Sequence, residues 1–176
     1  MAIRVIILNG ASSVGKTTLG KALQAALPDP WLRFDVDDLG EALPPQLHGA
    51  PEGLSIFPDG RVTTGPVFND LADAWREGLS TMARCGARLI VDEVMMDGAA
   101  NQQEWVQSLA DLEILWVAVR CDPVIAAARE LARGDRVAGM SASQAAVVHA
   151  GVAYHLEVDT SRASPEACAA RVLAGA

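Results

Sequence analysis

Gly10-Ala11-Ser12-Ser13-Val14-Gly15-Lys16-Thr17 spells the pattern Gly-x-x-x-x-Gly-Lys-Thr close to the start of the chain. The run before it, Ile3 to Asn9, is short, rich in β-branched residues and bounded by Gly10, which predicts a strand buried on both faces. The run after it, Gly15 to Leu27, places Leu19, Leu23 and Leu27 on one helical stripe before Pro28-Asp29-Pro30 stops it. Strand before and helix after is the context in which this pattern forms a phosphate-binding loop. Glycines let the backbone approach phosphate closely. The amides of Gly10, Ala11, Ser12, Ser13, Val14 and Gly15, and of the first helical residues through Thr18, then face an anion. Lys16 is expected to reach the outer phosphates, and Thr17 to ligate Mg²⁺. Lys16 and Lys21 are the only lysines beside twelve arginines. A chain this biased toward arginine still has a compact ammonium where the loop needs one.

Working outward, Trp31 to Val36 predicts a second strand and Ala87 to Val91 a third. Leu112 to Val119 predicts a fourth and Tyr154 to Val158 a fifth. Asp122-Pro123 and Ser164-Pro165-Glu166 are helix starts. Asn69 to Ala83 is helical, with Leu71, Trp75, Leu79 and Met82 on one face. Strands alternating with helices predict an α/β fold: a five-stranded parallel sheet between two layers of helices, joined by right-handed crossovers. The stretch Asp38 to Thr64 breaks the alternation. It holds Pro44, Pro45, Pro51 and Pro58 with an Asp59-Gly60 turn, and it is too long for a plain loop, so it reads as an inserted subsite.

A length of 176 residues predicts one domain, 1–176, with a core large enough to bury about 70% of the unfolded surface. With 51% hydrophobic and 20% charged residues the chain is not intrinsically disordered. A net charge of −8 argues against nucleic acid or an anionic membrane as partner. Apolar runs fall short of a membrane span, and Met1 to Leu8 is too short for a signal peptide. Cys85, Cys121 and Cys168 are scattered, as are His48, His149 and His155, so neither a disulfide framework nor a zinc site is expected and the cytoplasm is the natural compartment. The partner expected is a small molecule, and a homo-oligomer stays open.

Three further groups carry candidate chemistry. Asp37 falls at the carboxyl edge of the second strand, where open α/β sheets bind ligands, and could take the proton from an attacking hydroxyl; Asp35 and Asp38 compete for the role. Asp92 closes the third strand as a metal-shell carboxylate, with Glu93 as the alternative. Arg129, Arg133 and Arg136, at i, i+4 and i+7 and followed by Gly139, suit an arginine lid over about 129–140, or else a solvated face paired with Glu130 and Asp135. Trp31, Phe34, Phe57 and Trp75 could receive an aromatic acceptor or belong to the core.

The order strand, phosphate loop, helix, strand-Asp, insert, strand-Asp, strand, arginine lid and last strand resembles the nucleoside-monophosphate-kinase type of P-loop NTPase. Within it the chain resembles the chloramphenicol phosphotransferases. The resemblance runs through Ile6-Ile7-Leu8-Asn9-Gly10, Pro30-Trp31-Leu32, Val36-Asp37 and Leu115-Trp116-Val117, and its longest segment is Ala132 to Met140. It extends through Gln144-Ala145 and Val147-Val148-His149 to Glu157-Val158-Asp159-Thr160. It implies ATP- and Mg²⁺-dependent phosphorylation of the primary hydroxyl of chloramphenicol. It also implies Asp37 as base and Lys16, Arg133 and Arg136 as phosphate ligands. The acceptor region, about 38–68, matches less well, notably at Pro44-Pro45-Gln46-Leu47-His48, and Val94-Met95-Met96-Asp97 departs too. Only Arg61 is basic between Asp38 and Thr64, which favours a neutral acceptor over a sugar acid or a shikimate-like acid. A GTPase-like module would need an Asn-Lys-x-Asp signature, which the chain lacks.

Overall fold

The computed structural model describes residues 3–134 and 137–175. Its main sheet has five parallel strands: β1 (Val5–Asn9), β2 (Trp31–Asp35), β5 (Arg88–Glu93), β6 (Ile114–Arg120) and β7 (Leu156–Asp159), in the order β2-β5-β1-β6-β7. β3 (Leu54–Ile56) and β4 (Val62–Thr64) form a separate antiparallel hairpin within the insert. The helices are α1 (Lys16–Ala26), α2 (Val36–Ala42), α3 (Pro66–Arg84), α4 (Ala99–Ser108), α5 (Pro123–Arg133), α6 (Met140–Ala145) and α7 (Pro165–Ala174). None of the described helices is long and apolar enough to cross a membrane.

β1 lies at the centre with all five residues buried, because it must be covered on both faces. Alternation divides its side chains. Ile6 and Leu8 pack with Leu19 and Leu23 of α1 and Val172 of α7. Val5 and Ile7 pack with Leu79 of α3, Trp105 of α4 and Trp116. The register brings Leu8 level with Asp92 and Asn9 level with Glu93, and Asp35 level with Asp92. Asp35, Asp92 and the start of the phosphate loop therefore meet at one carboxyl edge.

Two expectations shift here. The second strand ends at Asp35, and Asp37 sits in the first turn of α2. The cause is a capping box: the Asp35 carboxylate accepts from the Asp38 amide at 3.2 Å, and Asp38 Oδ2 accepts from the Asp35 amide at 2.8 Å. Trp31 is core, and Phe34 meets Trp75 edge-on with ring centroids 5.9 Å apart.

Candidate active site

The loop after β1 turns into α1 through Gly15, whose φ of +97° suits glycine, and through Ser13 at φ +61°. The α1 N-terminus has no side-chain cap and no acidic residue in its first turn. By contrast α2, α5 and α7 are capped by Asp35, Asp122 and Ser164. The unsatisfied amides and the dipole at the start of α1 are thus left for an anion.

Lys16 is buried. Its Nζ donates to the Gly10 and Ala11 carbonyls, each at 2.8 Å, and lies 3.5 Å from Asp92 Oδ1. Thr17 Oγ1 donates to Asp92 Oδ2 at 3.0 Å. Burial pushes the Asp92 carboxyl up, opposed by the Lys16 ammonium and the Thr17 hydroxyl, while neighbouring Asp35 adds to the rise. A hydroxyl and a carboxylate side by side at a phosphate loop are hard oxygen donors of the kind Mg²⁺ takes together with substrate phosphates. Among the described residues no cluster of three or more His, Cys, Asp or Glu could hold a metal unaided. Glu93 points elsewhere: Oε1 accepts from Trp105 Nε1 at 3.1 Å and Oε2 from the Val94 amide at 3.2 Å. Strand alternation thus sends Asp92 to the phosphate loop and Glu93 to the other side. Burial pushes the Glu93 carboxyl up to about 7.

One cavity of about 1090 Å³ takes in Ser12 to Thr18, Asp37, Asp92, Glu93 and Arg133, and reaches the insert, α3 and α4. The phosphate-loop residues, Asp37, Asp92 and Arg133 are thereby brought together. Arg136 and Asp135 lie outside the described residues. α5 ends at Arg133, with Gly134 at φ +70°. Arg129 braces the site: its Nη2 donates to the Thr160 carbonyl at 2.9 Å and its Nη1 to the Thr160 hydroxyl at 3.2 Å, and that hydroxyl donates to the Val14 carbonyl at 2.5 Å. Glu130 is no solvated partner. It is 2% exposed and accepts from the Gly139 and Ser141 amides at 2.8 and 2.7 Å.

The far half of the cavity holds residues the sequence reading passed over. Arg76 on α3 lines it, with its Nη1 3.0 Å from Asp73 and its Nη2 2.8 Å from Glu104. Glu41, Glu93, Asp97 and Glu104 line it as well. Arg61 does not; its guanidinium sits over the Phe57 ring, 4.0 Å from the centroid. Among the described residues the other cations lining the cavity, Lys16, Arg129 and Arg133, come from the phosphate loop and α5.

The sequence profile of the chloramphenicol phosphotransferase-like proteins matches residues 3–175. The chain belongs to this family. It is 32% identical over 176 residues to the "Putative O-phosphotransferase Rv2636" of Mycobacterium tuberculosis, an alignment covering 89% of this chain and 75% of that protein. Its fold is that of solved P-loop kinases. A sugar kinase from Janibacter superposes with a TM-score of 0.74 at 15% identity, over 98% of this chain and 94% of the other. The Mycobacterium tuberculosis APS kinase, solved with AMPPNP and APS, superposes at 0.67 and 13% identity, over 98% and 96%. The tunicamycin resistance protein of Deinococcus radiodurans superposes at 0.64 and 17% identity, over 97% and 93%. Family and fold together make the chain a kinase-like phosphotransfer enzyme.

The Glu93 environment predicts a pH signature. Between its unfolded value of 4.5 and about 7 the folded chain keeps the proton that the unfolded chain has released. Unfolding therefore releases a proton in this window, and stability falls as pH rises through it. Glu93→Gln is expected to remove about 1–3 kcal/mol of that fall, read as a flatter unfolding free energy against pH in urea titrations from pH 4.5 to 8. Parallel curves for wild type and variant would contradict the assigned environment.

Proposed function

We propose that the chain transfers the γ-phosphoryl group of ATP to the hydroxyl of a small neutral molecule, with chloramphenicol the first candidate. The observation that carries this reading is the single cavity holding the phosphate loop, Lys16 and Asp92 together with Asp37 and the insert. Chloramphenicol is suggested by the family and by the resemblance along residues 132–140.

In this reading the amides of Ser13 to Thr18 cradle the triphosphate, those of Gly10 and Ser12 being held by the Glu93 carbonyl and Gln144, and Lys16 and Arg133, with Arg136, offset its charge. Thr17 and Asp92 would hold Mg²⁺, which would supply charge neutralisation for the phosphates. Asp37 orients the acceptor hydroxyl and takes its proton as the oxygen attacks γ-phosphorus in line and ADP leaves. The products are the phosphate ester and ADP. Support for a neutral acceptor comes from charge. The far half of the cavity is lined by Asp37, Glu41, Asp97 and Glu104, and the Arg76 charge is already shared between Asp73 and Glu104. A carboxylate or sulfate on the acceptor would meet repulsion there.

Incubation of the protein with ATP, Mg²⁺ and chloramphenicol is expected to give a product heavier by one phosphoryl group in the mass spectrum. Binding of ATP without any such product, across chloramphenicol and other neutral alcohols, would instead favour a non-catalytic nucleotide-binding module. Asp37→Asn is expected to lower kcat by roughly 10²–10⁴ with the ATP KM little changed; undiminished turnover would remove Asp37 from the mechanism. Lys16→Ala is expected to abolish phosphotransfer and to lower the melting temperature, because Asp92 loses its buried partner; an active variant, assayed below that temperature where circular dichroism shows it folded, would exclude the assigned role.

A further inference from the structure

Helix α6 is a single short piece, Met140–Ala145, yet it meets three parts of the site. Its N-terminal amides are taken by the buried Glu130 of α5, at Gly139 and Ser141. On its far side sits the tip of the β3–β4 hairpin. Gly60 has φ +79°, and a Cβ there would lie 2.3 Å from the Met140 nitrogen and 2.4 Å from the Gly139 carbonyl carbon. Ser143 Oγ is 3.1 Å from the Gly60 carbonyl and 3.0 Å from that of Met140, its one proton serving either. At the other end Gln144 is 5% exposed, and its Oε1 accepts from the Ser12 amide at 2.6 Å.

That amide belongs to the Ala11–Ser12 peptide, whose carbonyl accepts from Lys16 Nζ at 2.8 Å. The peptide is planar, so fixing the direction of its N–H fixes the direction of its C=O. Gln144 therefore sets the carbonyl against which the lysine ammonium rests. It does so from a helix that is itself located by the hairpin of the insert. Each joint is a hydrogen bond or a backbone contact too close for an extra methyl group, so a displaced helix cannot be absorbed by sliding apolar surfaces.

We infer that Gln144 is a positioning residue for nucleotide binding, acting through the Ala11–Ser12 peptide on Lys16, and that α6 carries the hairpin's position to the phosphate loop. The inference rests on the nucleotide reading above but not on the identity of the acceptor.

The test is the Kd of Mg·AMPPNP, measured by calorimetry on the full chain without acceptor. Gln144→Met keeps the bulk and loses the oxygen, and it is expected to raise Kd about tenfold, the equivalent of one hydrogen bond. Gly60→Ala pushes on α6 from the far side and is expected to raise Kd about threefold, although Gly60 is not among the residues lining the cavity. The double variant is expected to match Gln144→Met alone rather than reach about thirtyfold, because the second change acts through the first. A Gln144→Met value within twofold of wild type, or a fully multiplicative double variant, overturns the inference. Should Gln144→Met fail to fold by circular dichroism, Gly60→Ala decides: a raised Kd supports the inference, whereas a lowered melting temperature with unchanged Kd overturns it. Wild-type protein that fails to bind Mg·AMPPNP overturns the nucleotide reading and this inference together. Binding as predicted with no phosphotransfer to any acceptor overturns the kinase proposal alone.

Discussion

A buried ammonium held against a buried carboxylate is the constraint around which the site is organised. Lys16 and Asp92 are 7% and 4% exposed, and neither would be tolerated there unpaired. Their pairing is possible because β1 and β5 run parallel with Leu8 level with Asp92, so the end of one strand delivers the loop and the end of the other delivers the acid. The lysine also needs oxygens for its remaining protons, and the Gly10 and Ala11 carbonyls supply them. Sheet register, loop shape and the polarity of the α1 N-terminus are thus one arrangement. A slip of β5 by one residue would turn Asp92 away and bring Glu93 inward, breaking the ion pair without changing the composition of the edge.

What was legible in the sequence follows from the range of the interactions. The strand, loop and first helix could be read because apolar periodicity and the Gly-x-x-x-x-Gly-Lys-Thr spacing are local. The Asp59-Gly60 turn could be read because its chemistry is local too. Asp37 was misplaced by one element, since the run Trp31 to Val36 looks extended until the Asp35–Asp38 reciprocal cap is recognised as a helix start. The three-residue strands β3 and β4 are too short to show alternation. Helix α6 is under two turns long, and the contact that gives Gln144 its interest lies 132 residues away in sequence. Arg76 was missed for the same reason. It sits on a helix that reads as amphipathic, and only the fold brings it to Glu104, 28 residues on.

The arginines show how burial changes a reading made from spacing alone. Arg129 and Arg133 share a face of α5, but they do different things. Arg129 is committed to Thr160, and it braces the start of α1 from the far end of the sheet. Arg133, one turn on, is exposed at the end of the helix and lines the cavity. Glu130 lies between them in sequence, and its carboxylate is turned inward to hold the turn that follows. A helix that looked like a uniform charged surface is therefore divided into a brace, an anchor and a cation at the mouth of the site.

The same division applies to the far half of the cavity. Counting basic residues within the insert gave a neutral acceptor from Arg61 alone, yet Arg61 is stacked on Phe57 and the relevant cation is Arg76. The proposal of a neutral acceptor draws on a different residue. Arg76 is spent on Asp73 and Glu104, so it does not offer the bidentate grip a carboxylate or sulfate would need. Its guanidinium also lies 5.9 Å from the Trp105 ring centre, which ties it to the wall through the ring face. Carboxylate oxygens accept hydrogen bonds, so the proposed acceptor, seated among Glu41, Asp97 and Glu104, would gain from hydroxyl or amide donors and lose from negative charge. Under the proposed function, the polarity of this wall would select an acceptor by donor content, and the phosphate loop would select the nucleotide by charge.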